Sequence, residues 1–175
     1  MLKCLTATTL ATAMTLSAAA QQANLSGTWK LNMAASFLAG DHPSPDYEFT
    51  KVLVQGDRTI HQTDIATHVA MMNIPLPDTK VETELTPDGQ EHDAETPPPF
   101  PGMPPAHLKV SAEWQGNNLL VTERSAGAGR LSFTQRRYFL SNDGSHLIEL
   151  VEAHNAFGDT EQRLVFDKQS RFERD

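Results

Sequence analysis

Residues Ala106–Asn155 read AHLKVSAEWQGNNLLVTERSAGAGRLSFTQRRYFLSNDGSHLIELVEAHN, four apolar-rich runs separated by turns that carry glycine. Gly116-Asn117 and Asp143-Gly144 each fit a two-residue hairpin loop, and Gly127-Ala128-Gly129 offers a three-residue loop with glycine for the left-handed position. These turns predict strands 106–115, 118–126, 130–141 and 145–155 as consecutive antiparallel neighbours. The registers pair Trp114 with Leu119, Ala112 with Val121, Val121 with Gln135, Arg137 with Leu150 and Phe139 with Ile148. They gather Leu108, Val110, Ala112, Trp114, Leu119, Val121, Leu131, Phe133, Phe139, Ile148 and Leu150 onto one face. A shift of one residue would scatter that set over both faces.

The same punctuation continues toward the N-terminus. Gly56-Asp57, Pro87-Asp88-Gly89 and Gly158-Asp159 bound further short runs, and strands are expected near 25–31, 47–55, 58–68, 79–86 and 160–168. Pro75 and Pro77 weaken 69–78 as strand material. Six prolines crowd 97–105, which reads as an extended Pro-rich loop between strands. No window of a dozen residues holds a helical stripe; the best helix candidate, Asn32 to Leu38, is two turns at most. Many short strands and no long helix predict an all-β fold.

The chain has 175 residues, enough for one ordinary domain and too few for two. Its formal charge of −8 argues against nonspecific nucleic-acid binding, which needs cations to meet phosphates. The single cysteine, Cys4, allows neither a disulfide framework nor a cysteine-based zinc site. Residues 1–20 read differently from the rest: Lys3, then a mildly apolar run from Cys4 to Leu16, then Ala18-Ala19-Ala20. This is the pattern of a secretory signal with cleavage after Ala20, and the run is too short to span a bilayer. Residues 21–175 are then the expected mature domain, secreted or periplasmic and free of cysteine.

Catalytic signatures are lacking. No Gly-x-Ser-x-Gly elbow, His-Glu-x-x-His run or phosphate-loop glycine pattern occurs, so no catalytic residue, no cofactor and no metal site is expected. The seven histidines are scattered; His61 and His68 fall on opposite faces of one strand, and His146 and His154 are too far apart to share a ligand sphere. Glu82 and Glu84 share a face with Lys80 and Thr86, which reads as a solvated strand surface.

The segment Leu25-Ser26-Gly27-Thr28-Trp29-Lys30-Leu31 resembles the Gly-x-Trp opening of lipocalins and fatty-acid-binding proteins, the calycin group. Further pieces resemble small secreted bacterial lipocalin-like proteins: Pro87-Asp88-Gly89, Trp114-x-Gly116-x-x-Leu119, Leu140-Ser141-x-Asp143-Gly144 and Leu164-Val165-Phe166-x-Lys168. The resemblance implies an antiparallel up-and-down β-barrel of eight to ten strands. It also implies that Gly27 and Trp29 close one barrel end, with Arg163 the late-chain arginine against the indole. The group's Arg-x-Tyr carboxylate grip lies in its last strand, whereas Arg136-Arg137-Tyr138 falls two strands earlier. The implied function is binding of a small hydrophobic or amphiphilic ligand. From the registers, the ligand residues would be Trp114, Val121, Phe133, Phe139 and Leu150, with Glu123 near the polar end and Arg137 gripping an acidic head. The alternative is a noncatalytic interaction module with a packed barrel that meets an unidentified protein partner through its loops, the Pro-rich segment included.

Overall fold

In the computed structural model, the structure describes residues 22–39, 47–67, 70–71, 74–75, 77–96, 105–127, 130–155 and 158–170. The expected signal segment 1–20, with its cleavage point, and Pro-rich residues 97–104 lie outside them. Twelve strands follow in order: β1 (Gly27–Leu31), β2 (Glu48–Gln55), β3 (Ile60–Thr67), β4 (Ala70–Met71), β5 (Ile74–Pro75), β6 (Thr79–Leu85), β7 (Glu91–Thr96), β8 (Ala106–Gln115), β9 (Asn118–Gly127), β10 (Arg130–Leu140), β11 (His146–Asn155) and β12 (Gly158–Lys168). The expected helix is a single 3-10 turn, Met33–Ala35, whose Ala35 amide donates to the Asn32 side chain.

Ten strands form one antiparallel sheet in the order β6-β3-β2-β1-β12-β11-β10-β9-β8-β7, and β4 pairs with β5 separately. First and last long strands meet, with Trp29 opposite Lys168, so the meander closes on itself through β1 and β12. The free edges are β6 and β7, although only five residues join them. The Gly89 amide donates to the Ala112 carbonyl at 2.8 Å, which carries the chain over to β8 instead of back along β6. The result is an up-and-down barrel, hydrogen bonded all round except at the β6–β7 seam.

The core gathers at one end of the barrel. Leu25, Trp29, Leu53, Ile60, Leu85, Ala112, Leu119, Leu147 and Phe166 are all buried in one cluster. Gly27 permits this closure, because a Cβ there would stand 3.1 Å from the Trp29 indole nitrogen. That nitrogen donates to the Leu25 carbonyl at 3.0 Å. The cation over the ring is Lys168, with Nζ 5.3 Å from the centroid, and not the expected Arg163. Arg163 is five residues earlier in β12, so alternation turns it to the outer face, roughly 17 Å along the strand. There it donates to the Ala35 carbonyl at 3.1 Å.

Two of the three expected registers hold: Trp114 pairs with Leu119, Ala112 with Val121, Phe139 with Ile148 and Arg137 with Leu150. The third is corrected by one residue. Gly127 pairs with Arg130, so Val121 faces Arg136 and Ser125 faces Ser132. The β9–β10 loop therefore has two residues, not three, and every side chain of β10 and β11 changes face. Strand β7 is also absent from the sequence reading. Its run Glu-His-Asp-Ala-Glu-Thr has one apolar residue, Ala94, and pairs only with β8. An edge strand with one neighbour and a solvated outer face carries little hydrophobic signal.

Candidate functional site

Alternation along the strands turns Lys51 of β2, Gln62 and Asp64 of β3, Glu123 of β9, Arg136 and Tyr138 of β10 and Glu149 of β11 into the barrel. Registers set the neighbours: Lys51 is opposite Asp64, and Tyr138 is opposite Glu149. Lys51 Nζ is 2.9 Å from Asp64 Oδ1 and 3.6 Å from Glu149 Oε2. Gln62 Nε2 donates to Asp64 Oδ2 at 2.8 Å. From Glu149 the chain of contacts continues to Arg136, whose Nη1 lies 2.8 Å from Glu149 Oε1 and whose Nε lies 3.3 Å from Glu123 Oε1. The Tyr138 hydroxyl donates to the same Glu149 oxygen at 3.2 Å. A charged bar thus crosses the lumen from β3 to β9, strands on opposite walls.

Lys51 and Glu149 are each 1% exposed, so water screens their interaction little. The Lys51 ammonium lies 5.4 to 5.9 Å from the rings of Tyr138, Phe49 and Phe166, an aromatic surround that offsets part of its lost hydration. Burial alone would raise the Glu149 carboxyl, but the Lys51 and Arg136 charges and the bonds from Arg136 and Tyr138 outweigh it and hold the group below its ordinary value. Burial, followed by the Glu149 charge, pushes the Tyr138 phenol well up, so it remains a proton donor to that carboxylate. Burial works against the Arg136 charge, and the facing anionic groups more than compensate, raising the guanidinium above its usual range.

The bar divides the interior. On the Trp29 side Leu25, Trp29, Leu53, Ile60, Leu85, Ala112, Leu119 and Leu147 are buried, with Trp114 and Leu140 partly buried against them. On the other side the inward residues Tyr47, Phe49, Ala66, Val81, Leu108 and Leu164 are only half-buried. Tyr47 and Phe49 stack at 6.4 Å, and Phe49 leans on Phe166 at 5.9 Å. This half of the barrel therefore has a half-buried aromatic and aliphatic wall above the charged floor.

The structure separates the expected ligand residues. Val121 is buried in the core beside the floor, and Glu123 belongs to the bar. Trp114 stands at the closed end, where it borders a surface depression of about 390 Å³ with Gln22, Gln55, Arg58 and Asp88. Arg137, Phe133, Phe139 and Leu150 all face outward, because the one-residue change of register reverses them. Arg137 is exposed, and Phe133 lies 5.8 Å from the His154 ring and 5.8 Å from the Arg124 guanidinium. The inward cation of β10 is Arg136. Sequence reasoning missed it along with Lys51, Asp64 and Glu149, although the Asp143-Gly144 turn already implied that Tyr138 and Glu149 are opposite. Among the described residues, no group of three His, Cys, Asp or Glu side chains could hold a metal ion.

Neither a family model nor a curated protein sequence matches this chain. Solved structures do. A secretory abundant heat soluble protein from Ramazzottius varieornatus is 10% identical, with a TM-score of 0.54 over 86% of this chain and 98% of that one. Zebrafish ileal bile acid-binding protein, complexed with cholic acid, is 17% identical, with a TM-score of 0.52 over 82% and 98%. A Schistosoma mansoni fatty-acid-binding protein, in complex with arachidonic acid, is 14% identical, with a TM-score of 0.51 over 83% and 96%. The fold is a calycin barrel. Within that fold, the described part of the β1–β2 connection of this calycin-like chain holds a single 3-10 turn.

Proposed function

We propose that the chain is a noncatalytic binding protein that takes a small, partly apolar molecule into the apolar-lined half of its barrel. One observation carries this reading: beyond the charged bar the inward Tyr47, Phe49, Ala66, Val81, Leu108 and Leu164 are only half-buried and together make an apolar lining. A concave, mostly apolar surface with a few fixed polar groups is the usual form of a small-molecule site. The cholic acid and arachidonic acid complexes of two proteins with this fold support the ligand class. We also propose export, on the strength of the N-terminal Lys3, apolar run and Ala18-Ala19-Ala20; mass spectrometry of the mature protein should then find Gln21 as its first residue.

The direct test is to extract purified protein, identify co-purified small molecules, and titrate a neutral fluorescent hydrophobe. Saturable uptake at one site is expected. An empty extract with no saturable uptake would refute the binding reading. It would favour the second one, an interaction module with a packed barrel, for which the buried Lys51, Tyr138, Glu149 and Phe166 across the middle already speak.

A further inference from the structure

Arg136 and Tyr138 lie two residues apart on one strand face and both aim a donor at the same point. A guanidinium beside a hydroxyl is a natural grip for a carboxylate. Here the grip is filled by the chain itself, since Glu149 Oε1 accepts from Arg136 at 2.8 Å and from Tyr138 at 3.2 Å. Glu149 cannot withdraw to make room, because its side chain is 1% exposed and its second oxygen faces Lys51. Lys51 in turn is held by Asp64 at 2.9 Å. The floor as a whole sets two cations, Lys51 and Arg136, against three carboxylates, Asp64, Glu123 and Glu149, which leaves one negative charge in excess. Asp64 and Glu123 end the bar, with side chains 24% and 30% exposed, and Arg136, 31% exposed, is already tied to Glu123 and Glu149. An incoming carboxylate would find both cations taken and a like charge in a partly enclosed space, where repulsion is poorly screened.

We propose that Glu149 is the specificity-determining residue of the barrel, serving as a built-in counter-anion. The ligand is an amphiphile with a cationic head, of which an alkylammonium is the simplest, and fatty carboxylates of equal chain length are turned away. This rests on the binding reading above and adds the head group to it. The ammonium meets Glu123 at its end of the bar, and the alkyl chain lies along Phe49, Leu108 and Leu164.

The test is competition against N-phenyl-1-naphthylamine, a neutral probe, by decylammonium, decanol and decanoate at pH 7.5. In wild type, decylammonium should displace the probe at a concentration about tenfold below decanoate, with decanol between them, a difference of about 1.4 kcal/mol. In Glu149→Gln, Arg136 and Tyr138 are released and decanoate should improve about tenfold relative to decanol. Decanoate competing as well as decylammonium in wild type, or an unchanged head-group order in Glu149→Gln, overturns the proposal and leaves the binding reading intact. Should Glu149→Gln fail to fold, Glu123→Gln at the bar's solvent-accessible end serves instead. It should weaken decylammonium about threefold without changing decanol, and no change there is equally fatal. Wild type that binds neither probe nor any of the three amphiphiles removes the binding reading and this inference together.

Discussion

Lys51→Met removes the ammonium from the middle of the bar while keeping a stem of similar length among Phe49, Tyr138 and Phe166. Breaking a buried ion pair from one side costs about 3–5 kcal/mol, because the other charge stays buried without its partner. The lower end applies here. Glu149 keeps Arg136 and Tyr138, and Asp64 keeps Gln62 and some contact with solvent. A loss of about 3 kcal/mol at about 2–4 °C per kcal/mol for a chain of this size gives a Tm lowered by about 6–12 °C at pH 7. The pH dependence has a definite sign. The folded Glu149 carboxyl is held below its reference value of 4.5, so its contribution is complete above that pH and is lost as the pH falls through the folded value. Lys51 supplies part of that depression, so the deficit of Lys51→Met should be largest at neutral pH and shrink in acid. Far-UV circular dichroism melts of both proteins at pH 7 and pH 3.5 measure it. A neutral-pH Tm within 2 °C of wild type, or a deficit that grows in acid, would refute the account of the bar.

Trp29→Ala empties the closed end of its largest buried side chain and should cost about 3–5 kcal/mol, read as a fall in urea midpoint at constant m-value. Arg137→Met should change neither Tm by more than about 1 °C nor probe affinity, since this outward side chain makes no ion pair among the described residues; a loss of uptake would show that the outer face binds the ligand. Gly144 has φ of +69°, so Gly144→Ala places a Cβ in the left-handed region and should cost about 1–2 kcal/mol, measured by chemical denaturation.

Much of the barrel was legible in local chemistry. Gly116-Asn117 and Asp143-Gly144 carry glycines at positive φ, 63° and 69°, and few other residues enter that region, so those turns and their registers follow from sequence alone. Gly27-x-Trp29 marked the closed end only through its resemblance to the calycin opening; the structure supplies the reason, since a Cβ at residue 27 would stand 3.1 Å from the indole nitrogen. Gly127-Ala128-Gly129 was different: glycine at both ends suits a loop of two residues or of three. Hydrophobic alternation could not choose between them, because β10 and β11 are apolar on both faces, with Tyr138, Leu147 and Val151 on one and Phe139, Ile148 and Leu150 on the other. That choice decided whether Arg137 or Arg136 entered the barrel. Only closure of the sheet settled it, by burying the face that could be paired: Lys51 and Asp64 arrive from strands far away in sequence and bring with them the charges that Arg136 and Glu149 need inside.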